Sequence, residues 1–155
     1  MRVARICKSA YATLDGEGAR VYGGRWNSVG IPAVYLASTR SLALLEVLVH
    51  LGSIQDLASD FVCAVVRLPD EIVRFESSWW SSTSRPHWAR KPRNETQVVG
   101  DTWMREHPDL VLAVPSVIVP EEDNFLFHPS LVDSGAIVIE QLASFSFDPR
   151  LLLRL

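Results

Sequence analysis

Short apolar runs alternate along the chain with polar breaks marked by glycine or proline, and the runs carry two different periods. Val3–Cys7 is a β-prone run, and Ala33–Ala37 reads as a buried strand. From Asp60 to Leu68 both alternating sets are apolar, Phe61, Cys63 and Val65 against Val62, Ala64 and Val66. That pattern predicts a strand buried on both faces and stopped by Pro69. Leu110–Val119 predicts a strand broken at Pro115, which has no N–H for a ladder. A last strand is expected over Val138–Phe147, where Ala143, Phe145 and Phe147 alternate with Ser144 and Ser146. Helical spacing predicts a helix from about Thr39 to Leu51, capped by Ser38 and ended by Gly52. A second helix is expected from an Asn94 N-cap with Gln97 as its capping-box partner, running to His107 before Pro108.

Two stretches fit neither period. Ala12–Gly30 holds Gly16, Gly18, Gly23, Gly24 and Gly30, which predicts a long loop without regular helix or strand. Ser77–Arg93 is rich in Ser, Trp, Arg and Pro and reads as an irregular excursion. No repeat and no shift in composition divides the chain. The expectation is a mixed α+β or α/β single compact domain over residues 1–155, with about six strands and two or three helices.

Composition narrows the class. The 155 residues are 48% hydrophobic and 21% charged, an ordinary globular balance. The apolar stretch Leu42–Leu51 is too short to span a bilayer, which takes about 20 residues. No apolar signal region follows Met1–Arg5, so a cytoplasmic protein without membrane attachment is expected. Cys7 and Cys63 lack metal or redox spacing and read as buried free thiols. A net charge of −3 argues against direct nucleic-acid binding. Locally, however, Arg85, Arg90, Lys91 and Arg93 lie between Glu76 and Glu95 without an intervening acid, interleaved with Trp79, Trp80 and Trp88. That mixture suits a surface loop tucked on the core, a protein contact, or a single-stranded nucleic acid.

Glu46 and His50 are the polar members of a helix otherwise apolar from Leu42 to Leu51, and their i, i+4 spacing puts them on one face. Three readings follow: a thin solvated stripe, a pair of metal ligands, or a carboxylate aimed into a polar pocket beside the core. An unpaired charge in such a pocket costs several kcal/mol, so the third reading points to function. Gly23-Gly24-Arg25-Trp26-Asn27 pairs glycines that allow close backbone approach with an arginine fork suited to phosphate, though an ordinary turn has the same pattern.

These motifs in order resemble the RES domain, the toxin of RES–Xre type II toxin–antitoxin systems. The resemblance runs through Gly16–Arg20, Gly23–Asn27, Pro32–Ala37 and Leu42–His50. It continues through Gly100–Trp103, Val114-Pro115-Ser116 and Asn124-Phe125-Leu126. By position, the family's basic residues fall on Arg5 and Arg25, its aromatic on Tyr35, its acid on Glu46, its serine on Ser116 and a recurring asparagine on Asn124. One departure is His128-Pro129, where the family often has Asn-Pro.

The resemblance implies a fold like that of the ADP-ribosyltransferase toxins, with NAD as substrate and no metal. It also implies a homodimer and an antitoxin partner with a helical DNA-binding part. The implied catalytic set is Glu46, Tyr35 and Arg25. Arg5, Arg25, Tyr35, Ser116 and Asn124 are expected to bind NAD. The chemistry fits these residue types. Breaking the nicotinamide–ribose bond develops a cationic sugar that a carboxylate stabilises. Arginine forks neutralise pyrophosphate, and a phenol ring stacks on nicotinamide. NAD hydrolysis or phosphorolysis is the first expectation, and transfer of ADP-ribose to a host protein is the alternative. A catalytically silent binding module and a metal hydrolase built on Glu46 and His50 are the rivals of other classes.

Overall fold

The computed structural model describes residues 1–51, 60–76 and 93–151. Its framework is a seven-stranded sheet: β1 (Arg2–Lys8), β2 (Val34–Ala37), β3 (Phe61–Arg67), β4 (Ile72–Arg74), β5 (Val111–Pro115), β6 (Asp123–Phe127) and β7 (Val138–Phe145). The strand order is β4-β5-β6-β2-β1-β3-β7, with β4 and β5 parallel and every other pair antiparallel. The described helices are α1 (Glu17–Tyr22), α2 (Arg40–His50), α3 (Arg93–Glu106) and the one-turn α4 (Ser130–Asp133). The class is mixed α/β as expected, with one strand more than anticipated and with α1 and α4 added among the helices.

Strand alternation sorts the core into two sides. Val3, Val34, Leu36, Ala64, Val66, Val111, Ala113, Phe125 and Phe127 form one buried face, packed against Leu14, Leu131 and Ile137. On the opposite face Ala4, Ile6, Ala37 and Phe61 pack against Leu42 and Ala43 of α2. Beside them Leu112, Val114 and Leu126 meet Trp26, Trp103 and Met104, the last two on α3. Helices α2 and α3 therefore share one side of the sheet. Between β1 and β2 only Ala4↔Ala37 are in register, so two half-sheets meet there at a single position. Helix α2 packs across that seam.

Several local readings need correction. The glycine-rich stretch contains α1 after all, because Gly16 and Gly23, at φ 68° and 67°, flank the helix as its caps. Thr39, not Ser38, caps α2: its hydroxyl accepts from the Leu42 N–H at 3.0 Å. Ser38 instead donates to Glu122 at 2.9 Å. Helix α2 buries Leu42 and Ala43 fully but leaves Leu45 and Val49 exposed, so it is covered on one side rather than nearly all round. Asn94 lies within α3 rather than capping it, and Gln97 reaches away from the helix. The run Leu110–Val119 divides at Pro115, where β5 ends; the chain turns through Ser116–Glu122 and returns as β6. Cys7 and Cys63 are free, as expected, but only half-buried. Gly52 and the Trp- and Arg-rich residues 77–92 lie outside the described residues.

Candidate functional site

Glu46 is half-buried on α2, and its Oε1 accepts two hydrogen bonds, from Ser116 Oγ at 3.0 Å and from Asn124 Nδ2 at 2.5 Å. Its Oε2 accepts none among the described residues. The solvated-stripe and metal-pair readings of Glu46 and His50 meet different geometry: His50 is exposed, and Glu46 turns to the β5–β6 turn. No group of three His, Cys, Asp or Glu side chains suited to a metal occurs among the described residues.

Both donors are themselves fixed. Ser116 is fully buried, and its Oγ accepts from the backbone N–H groups of Ile118 at 3.0 Å and Val119 at 3.2 Å. With its lone pairs engaged, the Ser116 hydroxyl proton is directed to Glu46. Asn124 sits on β6 opposite Ala37, on the same sheet face as Tyr35. The turn carrying Ser116 is tied to the start of α2 by Glu122, whose Oε2 accepts from Ser38 and from Thr39 at 2.7 Å. Pro115 ends the ladder, which is why the chain leaves the sheet where the hydroxyl is needed.

The Gly24–Asn27 loop supplies the rest. Tyr35 donates to Asn27 Oδ1 at 2.7 Å and accepts from the Trp26 N–H at 3.1 Å. Burial pushes the Tyr35 phenol well above its usual range. Its hydroxyl is thus committed to the loop. Gly24 has no room for a side chain: a β-carbon there would collide with the Tyr35 hydroxyl and Asn27 Oδ1. Asn27 is fully buried and donates to Ala19 O and Ile31 O, each at 2.8 Å, and to Ser28 O at 3.2 Å.

Arg25 stands in this loop within electrostatic reach of Glu46. Burial chiefly, and the like charge of Arg93 next, lower its hold on its proton, while Glu46 opposes them. Arg5 lies elsewhere. Its neighbours Ala4 and Ile6 face α2, so Arg5 points to the other side of β1, where Nη1 donates to Thr13 O at 3.5 Å. No described contact joins Arg5 to Glu46. The structure therefore brings together Glu46, Ser116, Asn124 and Arg25, with Tyr35 bracing the arginine's loop. His128 bonds to Ser130 at 2.9 Å and is not part of this cluster.

Sequence reasoning missed Asn27 as the loop's hub and missed the face of α3 that grips the loop. Gln97 Nε2 donates to Gly24 O at 3.0 Å and to Asn27 O at 3.1 Å, and Arg93 Nε donates to Gly24 O at 2.9 Å. The signal for Asn27 was its place directly after Gly-Gly-Arg-Trp, where a short amide can satisfy several turn carbonyls.

Residues 2–148 match the family model described as RES domain. A Sphingobium sp. (strain YBL2) protein named Prs ADP-ribosylating toxin is 36% identical over 140 residues, covering 90% of this chain and 86% of that protein. A Yersinia enterocolitica serotype O:8 protein named Toxin Res is 37% identical over 156 residues, covering 97% of this chain and 99% of its own length. In fold, the chain resembles a chain of the crystal structure of the M. tuberculosis MbcT–MbcA toxin–antitoxin complex. The TM-score is 0.76 at 19% identity, over 98% of this chain and 86% of the other.

Proposed function

The chain belongs to the RES domain family, and on that premise we propose that it is the toxin of a toxin–antitoxin pair, an enzyme that cleaves the nicotinamide–ribose bond of NAD. The observation that carries this reading is the asymmetric setting of Glu46. Two donors hold Oε1, and Oε2 is left to face a cation that forms only during reaction. Departure of nicotinamide takes the bonding electron pair with it and leaves positive charge on the ribose C1′ and ring oxygen. A fixed carboxylate stabilises that charge where it appears, at no reorganisation cost. Water or phosphate then bonds to C1′ and loses a proton, giving ADP-ribose or its 1-phosphate.

The other residues take supporting roles in this proposal. Arg25 neutralises the pyrophosphate. Tyr35 is assigned the role of offering its ring to the nicotinamide as a stacking surface. Ser116 and Asn124, expected from the sequence as NAD ligands, are better placed to orient Glu46. Arg5 is assigned to an outer part of the dinucleotide, on the far side of β1. The enzyme works in the cytoplasm as one RES unit, forms a homodimer, and is held in check by an antitoxin with a helical DNA-binding part.

A second reading transfers ADP-ribose to a protein side chain instead, favoured by the name of the Sphingobium relative. Both share the first bond-breaking step. Incubating the protein with NAD, with and without phosphate and with and without cell lysate, and following labelled ADP-ribose separates them. Free ADP-ribose or its phosphate ester supports cleavage, and label retained on protein supports transfer. Intact NAD in every arm ends both proposals.

A further inference from the structure

One face of α3 holds the Gly24–Ser28 backbone at positions spaced i, i+3, i+4, i+7 and i+8. Arg93 and Gln97 donate to Gly24 O, and the Thr96 hydroxyl donates to Arg25 O. Gly100 lies flush against the Trp26 carbonyl, with no space for a β-carbon. Asp101 Oδ1 accepts from the Ser28 N–H at 2.8 Å. Four of these five are neutral or anionic packing and hydrogen-bonding devices. Arg93 is different. Its Nε is spent on an uncharged carbonyl, and no carboxylate among the described residues pairs with it. Its terminal nitrogens donate no hydrogen bond among the described residues, and the residue is exposed.

Anchoring a guanidinium on Gly24 O places it beside the residue that precedes Arg25. The two cations feel each other, and the buried Tyr35 phenol feels Arg93 as well. The bond to Gly24 O holds the Arg93 charge within electrostatic reach of Arg25, and an anion lying between the two would relieve that repulsion. Mere pinning of the loop would not need a charge, since Gln97 already bonds the same carbonyl.

We propose that Arg93 is the second arm of the pyrophosphate clamp, acting together with Arg25. The proposal rests on the NAD reading above. It makes the first residue of α3 a ligand-binding residue and the remainder of that helix face a positioning surface for the loop.

The test uses the full chain carrying Glu46→Gln, so that bound NAD stays intact. Calorimetric binding of NAD and of nicotinamide riboside, which lacks phosphate, is compared for that parent and for Arg93→Ala and Arg93→Lys. Losing a charge-assisted contact to phosphate weakens binding by roughly tenfold to a hundredfold. Arg93→Ala is therefore expected to raise the Kd for NAD by that factor and to leave the Kd for nicotinamide riboside unchanged. Arg93→Lys should recover part of the loss by keeping the charge. Unchanged NAD affinity in Arg93→Ala, or equal weakening of both ligands, overturns the clamp and leaves Arg93 a loop pin. A parent that binds nicotinamide riboside but not NAD overturns the clamp alone, whereas a parent that binds neither removes the underlying NAD reading.

Discussion

Glu46 shows how a carboxylate can be made directional. Ser116 has its oxygen occupied by two backbone N–H groups, so its proton has one useful destination, and Asn124 adds a second donor to the same Oε1. Glu46→Gln is nearly isosteric and should leave thermal melting almost unchanged. NAD turnover should fall roughly a hundredfold or more, the scale of losing a preorganised charge stabiliser. Retained turnover in the purified Glu46→Gln protein would remove Glu46 from the mechanism. Ser116→Ala tests orientation separately from binding. It should lower kcat about tenfold, with KM moving little, because the lost bond aims the carboxylate without touching NAD. A large rise in KM at constant kcat would return Ser116 to the role of a ligand. Glu46, Ser116 and Asn124 were legible in the sequence as members of a set. Their division of labour was not, since it depends on which oxygen each donor reaches.

At the scale of elements, legibility followed the physics of each signal. Strands β2 and β3 were readable because burial leaves short continuous apolar runs, and β5 because Pro115 marks its end. Strand β4, three residues long, is too short to show a period. Helix α1 was obscured because Gly16 and Gly23 look like breakers in sequence, while in space they bound the helix. Helix α3 was recognised, but its polar side chains were read as serving the helix's own end. They serve the loop instead. A consequence can be measured at Gly100, where any side chain presses on the Trp26 carbonyl. Gly100→Val should cost at least about 1–3 kcal/mol by overpacking, read as a lower urea midpoint, and should also weaken NAD binding. A stable variant with unaltered affinity would show that α3 and the loop are not coupled.

For the whole molecule, the two half-sheets and the helices on their common side combine the candidate site from distant stretches of chain: Arg25 from the loop, Glu46 from α2, Ser116 from the β5–β6 turn and Asn124 from β6. The family resemblance made this assembly legible, because composition and periodicity alone do not say which loop meets which helix. If the assembled protein consumes NAD in the cell, expressing it without its antitoxin should arrest growth. Glu46→Gln at equal protein levels should not, as colony counts and NAD extracted from the cells would show. Equal arrest by both would place the toxicity outside this chemistry.

The single shared position between β1 and β2 has a mechanical implication. Leu42 and Ala43 of α2 pack with Ala4 and Ala37, so the bulk of these two side chains bears on the joint between the half-sheets. A smaller side chain at position 42, well away from any reacting atom, would therefore loosen the joint across which Glu46 on α2 reaches Asn124 on β6.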